Sequence, residues 1–200
     1  MILKICGITS QGDADAAIEA GATAIGFNFY AQSPRYIAPQ QARAIASPAG
    51  VLRVGVFVNL ERARIAEIAG AAALDVAQLH GDETPADYPA ALAVWKAARV
   101  GNGFDLSLYD QCPAEALLLD GPADGLYGGA GRAFDWRLAG VSARRIILAG
   151  GLDASNVGEA IALVRPWGVD ACSRIESAPG KKDYAKMRAF LQAAREAFRS

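Results

Sequence analysis

The chain has 200 residues, 52% hydrophobic and 20% charged, with 20 Lys and Arg against 21 Asp and Glu. That composition excludes disorder, coiled coil and collagen, and a net charge of -1 offers no basic excess for neutralising nucleic-acid phosphates. The apolar runs are short, none near the ~18 residues that span a bilayer, so neither membrane nor nucleic acid is expected and a small molecule is the default partner. Residues Met1 to Gly7 lack the basic head, apolar middle and cleavage site of a secretory signal, which points to the cytoplasm. Cys6, Cys112 and Cys172 are an odd, widely spaced set that reads as free thiols. With His80 as the single histidine, a zinc site is not expected.

Short β-branched runs alternate with Ala-rich amphipathic stretches along the whole chain, the signature of βαβ units. Eight strands are expected, over Ile2 to Cys6, Thr23 to Phe29, Val51 to Val58, Asp75 to Leu79, Val94 to Ala98, Ala116 to Asp120, Arg145 to Ala149 and Val169 to Cys172. Helices are read from their punctuation. Asp13 to Ala20 stops at Gly21, Pro39 to Ala46 starts on a proline that loses no hydrogen bond there, and Glu61 to Ala69 stops at Gly70. Pro85 to Ala91 is short, and Asp153 caps a helix that runs to Val164 before Pro166. The fifth and sixth units, Phe104 to Tyr109 and Asp135 to Ala139, are expected to carry reduced helices. In the last helix Tyr184, Met187, Leu191, Ala194 and Phe198 make one apolar stripe, expected to close the chain against the preceding strand.

Eight units in 200 residues leave about 25 residues each, near the lower limit of a (β/α)8 barrel. An α/β (β/α)8 TIM barrel of one domain, residues 1–200, is the expected fold. A doubly wound sheet would normally carry a Gly-rich dinucleotide loop after its first strand, and Cys6-Gly7-Ile8-Thr9 lacks that spacing.

In such a barrel the chemistry sits at the C-terminal strand ends. Asp120 ends an apolar strand, where desolvation would raise its pKa and suit it to donate a proton; a structural Asp bonding loop amides is the other reading. Cys6 ends strand one and is either a reactive thiol or a buried inert one, while Cys112, away from any strand end, reads as inert. Arg35 follows Ser33-Pro34, so its guanidinium is expected at solvent or at the barrel mouth, able to hold a carboxylate or serving as a plain surface residue. His80 reads as a hydrogen-bonder more than a catalyst. Gly150 and Gly151, before the capped helix, present amides suited to an anion. With Asp170, Ser173 and Arg174 from the neighbouring loop they form the usual phosphate cradle of barrels; alone, the Gly pair is also compatible with a tight turn. Gly121 to Arg132, with Gly125, Gly128, Gly129 and Gly131, reads as a lid or cavity wall.

The ordered segments Lys4-Ile5-Cys6-Gly7-Ile8-Thr9, Gly26-Phe27-Asn28-Phe29-Tyr30, Ser33-Pro34-Arg35-Tyr36-Ile37, Val54-Gly55-Val56-Phe57-Val58-Asn59 and Gln78-Leu79-His80-Gly81 are joined by Gly128-Gly129-Ala130-Gly131, Phe134-Asp135-Trp136, Gly150-Gly151-Leu152 with Asn156-Val157, and Pro179-Gly180-Lys181-Lys182-Asp183. Together they closely resemble phosphoribosylanthranilate isomerase over nearly the whole chain. The resemblance implies an isomerase of tryptophan biosynthesis that rearranges N-(5-phosphoribosyl)anthranilate to 1-(2-carboxyphenylamino)-1-deoxyribulose 5-phosphate with no cofactor and no metal. It implies that Cys6 is the general base, Asp120 the general acid, and Arg35 the residue that holds the anthranilate carboxylate. Lys4 is a polar neighbour able to favour the thiolate. Asp120 and Cys6 are expected on opposite sides of the barrel mouth. One departure stands out: Arg174 occupies a position where glycine is common, and would contact phosphate or pair with Glu176. A histidine-pathway isomerase would be expected to carry an aspartate where this chain has Cys6. A lyase acting on indoleglycerol phosphate and a catalytically silent phosphosugar-binding barrel are the remaining alternatives, and monomer and homodimer stay open.

Overall fold

A computed structural model describes residues 1–101, 103–121, 134–139 and 143–200. Eight parallel strands close into a barrel: β1 (Ile2–Cys6), β2 (Ala24–Asn28), β3 (Leu52–Phe57), β4 (Val76–Leu79), β5 (Ala93–Arg99), β6 (Ala116–Asp120), β7 (Ile146–Leu148) and β8 (Gly168–Ala171). Each strand pairs with the next in sequence, and β1 returns to β8 with Lys4 beside Asp170 and Ile5 beside Ala171. All eight expected strands are present: β1 and β6 match their expected bounds, β2, β3, β4 and β7 are shorter by a residue at one end or both, β5 is longer by one at each end, and β8 is shifted by one residue toward the N-terminus.

The strands read as continuous apolar runs because both of their faces are buried. Inward residues Ile2, Ala24, Val54, Val76, Trp95, Leu118 and Ile147 fill the lumen. Their neighbours in the chain, such as Leu3, Ile25, Ala77, Val94, Leu117 and Leu148, face outward under the helices, as the period-2 pleat requires. The same alternation continues past the apolar layer, so the inward positions nearest the C-terminal strand ends carry polar groups.

Helix α1 (Gln11–Glu19) starts earlier than expected because Ser10 accepts from the Asp13 amide. Helix α2 (Pro39–Ala44) begins on its proline. Helix α3 (Arg62–Ala72) runs through Gly70 and stops at Ala73, which takes the left-handed conformation at φ 50° and returns its amide to Ala69 and Gly70 carbonyls; the expected stop at Gly70 is corrected. Helix α4 (Val157–Val164) begins four residues after Asp153. Asp153 instead folds a turn, accepting from the Ser155 amide, while Asn156 accepts from the Asp153 amide.

Helix α5 (Tyr184–Ala197) is capped by Asp183, which accepts from the Ala185 and Lys186 amides. Its buried stripe is Met187, Phe190, Leu191 and Ala194, with Tyr184 exposed; it neighbours α4 and α1 and shares one buried cluster with the outward residues of β1 and β8. Each of its three large buried side chains contributes roughly 1.5–3 kcal/mol relative to exposure. Among the described residues the fourth, fifth and sixth units carry only 3-10 turns at Pro85–Asp87, Leu106–Tyr109 and Trp136–Ala139, the reduction expected for the last two. A hairpin not expected from sequence, β9 (Glu176–Ala178) with β10 (Lys181–Lys182), follows β8. Gly121 apart, the segment read as a lid lies outside the described residues. Among the described residues no helix is long and apolar enough to cross a membrane.

Candidate active site

A cavity of about 260 Å³ opens at the C-terminal end of the barrel. It is lined by Cys6 from β1, Asn28 from β2, Val56 from β3, Gln78 and His80 at the end of β4, Asp120 from β6, Gly150 and Gly151 after β7, and Asp170, Cys172, Ser173 and Arg174 at and after β8. The β2 loop adds Tyr30 and Arg35. All nine residues singled out in the sequence therefore line one cavity.

On the β1 side, Lys4 is fully buried and its Nζ donates to Asp170 Oδ2 at 2.8 Å. Burial disfavours the ammonium, but the Asp170 carboxylate and Cys6 outweigh it and hold Lys4 above its usual value. Burial pushes Asp170 up to about 7, with Lys4 opposing. Cys6, one inward position beyond Lys4, is held well below the usual thiol value: the influence of the Cys172 side chain outweighs burial, and Lys4 adds to it. Both influences favour the thiolate over the thiol. A Cβ on Gly26, beside Cys6 in the ladder, would stand 2.9 Å from Cys6 Sγ, so this glycine makes room for the thiolate.

Asp120 lies three strands around the barrel from Cys6 in the strand order, well separated across the mouth although not diametrically opposite. Its Oδ1 accepts from the Gly121 amide at 2.9 Å, and its Oδ2 stands 3.3 Å from His80 Nε2, outside hydrogen-bond alignment. His80 Nδ1 lies 3.1 Å from Gln78 Nε2. An amide nitrogen can only donate, so in this contact Gln78 donates and His80 Nδ1 accepts. Gln78 was not singled out from sequence; its signal is a polar residue at an inward position of a buried strand.

Arg35 is at the mouth, not at bulk solvent, with its side chain 12% exposed. Its Nε donates to Glu176 Oε1 at 2.9 Å and its Nη2 to Glu176 Oε2 at 2.7 Å, a forked pair that fixes the guanidinium plane. Burial opposes the Glu176 carboxylate, yet Arg35 and Lys182, whose Nζ donates at 2.8 Å, hold it below its usual value. Glu176 and Lys182 were not assigned from sequence, because the β9–β10 hairpin that delivers them has no strand-length apolar run. Gly7, at φ 75°, lets the Arg35 stem pass, since a Cβ there would meet Arg35 Cδ at 2.8 Å.

Asp170 differs from its phosphate reading, and Arg174 keeps one of its two. Asp170 is committed to Lys4 by a buried pair at 2.8 Å, so it belongs to the β1 side of the site. Arg174 does not pair with Glu176; its Nη1 lies 3.7 Å from Asp153 Oδ2 and its side chain is 52% exposed at the rim. Gly150 and Gly151 take left-handed φ of 76° and 64°, a consecutive pair that other residues adopt only with strain. They face the cavity together with Ser173, but not as the first turn of α4. Among the described residues no cluster of three His, Cys, Asp or Glu side chains is placed to hold a metal ion.

Comparison with known proteins adds an independent line. Residues 3–193 match the family described as N-(5'-phosphoribosyl)anthranilate (PRA) isomerase. The chain is similar to the N-(5'-phosphoribosyl)anthranilate isomerase of Solibacter usitatus, 69% identical over 98% of each chain, and to that of Pseudomonas putida, 51% identical over 97% of each. Its fold is similar to a crystal structure of phosphoribosyl anthranilate isomerase from Thermus thermophilus, with TM-score 0.90 and 39% identity, covering 98% of this chain and 99% of that one. A second similar structure, with TM-score 0.85 and 38% identity over 98% of this chain and 100% of the other, is an isomerase in complex with reduced 1-(o-carboxyphenylamino)-1-deoxyribulose 5-phosphate. The matched family model, the identity over nearly full length and the closed eight-strand barrel agree, and the chain belongs to the N-(5'-phosphoribosyl)anthranilate isomerase family.

Proposed function

We propose that the chain rearranges N-(5'-phosphoribosyl)anthranilate to 1-(2-carboxyphenylamino)-1-deoxyribulose 5-phosphate, a step of tryptophan biosynthesis, with Asp120 as general acid and Cys6 as general base. The observation that carries the reading is a thiolate-favouring Cys6 and an inward Asp120 on separate strands of one cavity whose rim also offers Arg35 and the Gly150–Gly151 turn. Asp120 protonates the furanose ring oxygen, the bond from that oxygen to C1' breaks, and the anilino nitrogen lone pair forms the Schiff base. The Cys6 thiolate then takes the C2' proton, and its electron pair forms the enolamine, which tautomerises to the ketone. His80, held by Gln78, stands beside Asp120 where it helps orient the acid.

Arg35 offers its fixed guanidinium to the anthranilate carboxylate, with Glu176 and Lys182 keeping its plane. Gly150, Gly151, Ser173 and Arg174 form the phosphate end, and Asp170 holds Lys4 rather than phosphate. Three free thiols suit a cytoplasmic setting. The test is complementation: the chain restores growth without tryptophan to a bacterium lacking this isomerase, and the Asp120→Asn variant does not. Growth with Asp120→Asn equal to wild type would remove the acid from the mechanism.

A further inference from the structure

The site holds a second thiol that the steps above leave unused. The β1–β8 ladder ends with Ile5 beside Ala171, so Cys6 and Cys172 are the next residues at the ends of two neighbouring strands, and both line the cavity. On its other side Cys172 meets Lys182, whose Nζ donates to the Cys172 carbonyl at 3.3 Å and stands 3.9 Å from Cys172 Sγ. Gly7 closes the remaining space, because a Cβ there would lie 3.2 Å from Cys172 Sγ. With the Lys182 ammonium facing a sulfur lone pair, the Cys172 S–H is left to turn toward Cys6.

We propose that Cys172 is a positioning residue for the reaction: its S–H donates to the Cys6 sulfur, holding Cys6 as a thiolate and aiming it into the cavity. This rests on the reading of Cys6 as the base. The groups facing the pair are Lys4 on β1, Lys182 on β10 and Arg35 after β2, which favour a thiolate, and Asp170 on β8, which opposes it; Asp120 and His80 line the far wall. The shared hydrogen bond, together with burial, pushes the Cys172 thiol well above its usual value while the same bond lowers Cys6. The two thiols therefore titrate as a unit.

The experiment is residue-resolved alkylation of the intact protein by iodoacetamide, following the Cys6 peptide by mass spectrometry from pH 5 to pH 10. Removing one hydrogen bond to a charged sulfur shifts its titration by about one pH unit or more. Cys172→Ala is accordingly expected to slow Cys6 alkylation about tenfold at pH values below its midpoint, and Cys172→Ser, which keeps a donor, to restore it. A packing role alone moves thermal stability but not this midpoint. An unchanged midpoint in Cys172→Ala, or an equal shift in Cys172→Ser, would overturn the proposal. Where Cys172→Ala fails to fold, Cys172→Thr and Cys172→Val give the same comparison at equal shape. The acid limb of kcat/KM should move with the alkylation midpoint; a midpoint that moves without the limb keeps Cys172 as the donor and refutes Cys6 as the base.

Discussion

Gly26→Ala adds one methyl group at the point where the barrel wall meets the reactive thiol. Gly26 is not at positive φ, so the backbone accepts alanine and the perturbation is one of space alone. The new Cβ would stand 2.9 Å from Cys6 Sγ, 3.1 Å from Lys4 Cε and 3.2 Å from Cys6 Cα. Relaxed contacts of this kind lie near ~3.5–4.0 Å, so the sulfur must retreat by roughly 0.6–1 Å. A displacement near ~1 Å at a reacting group costs on the order of 10²-fold, which sets the expected loss of kcat at about 10- to 100-fold with KM little changed. Overpacking of this size costs about 1–3 kcal/mol, or a melting temperature lower by about 2–12 °C in a domain of this length. The assay is steady-state turnover of freshly made phosphoribosylanthranilate, followed by loss of its fluorescence, beside a thermal melt. Gly70→Ala is the control, because a Cβ there meets nothing within 4 Å and helix propensity raises stability by about 0.5–1 kcal/mol. A Gly26→Ala protein with kcat within twofold of wild type would refute the placement of Cys6 as the working base.

Other expectations concern the charged pairs. Lys96 Nζ donates to Glu83 Oε2 at 3.0 Å and to the Gly81 carbonyl at 2.7 Å in a buried pair on the outer face of β5. Lys96→Met should destabilise the fold by about 3–5 kcal/mol in urea unfolding, and adding Glu83→Gln should recover part of the loss. Glu176→Gln should cost about 3 kcal/mol at pH 7. Because the folded value of Glu176 is depressed, this contribution is fully present above the ordinary carboxylate pKa of ~4.3 and is lost as pH falls through the lower folded value. The stability gap between wild type and variant should therefore narrow from pH 7 to pH 3, and a gap that widens toward acid would contradict the pairing. The same variant should raise KM more than it lowers kcat, since it frees Arg35 without touching the acid or base.

The barrel was legible because each strand is buried on both faces and so appears as an unbroken apolar run, and because Gly and Pro punctuate the units between. The misreadings are local. Asp153 resembles a helix cap, but its carboxylate serves its own turn and α4 waits until Val157. Gly70 resembles a stop, but the left-handed residue that ends α3 is Ala73. At the site, Cys6, His80 and Asp120 were visible as polar residues terminating apolar strands. Asp170 was visible too, but its partner Lys4 lies far away in sequence at the other seam of the barrel, and only closure of β1 on β8 shows that it neutralises a lysine. Glu176 and Lys182 stayed hidden because a hairpin of five strand residues leaves no periodic trace. Their meeting with Arg35 is made by tertiary folding, 141 positions apart in the case of Glu176.

The most direct test is kcat for phosphoribosylanthranilate with wild type, Cys6→Ser and Asp120→Asn side by side, each shown to be folded. Loss of a general acid or base costs on the order of 10²- to 10⁴-fold, and that fall in both variants, with substrate still bound, is the predicted result. Wild-type turnover in either variant would contradict the assignment of thiolate base and carboxylic acid to this cavity.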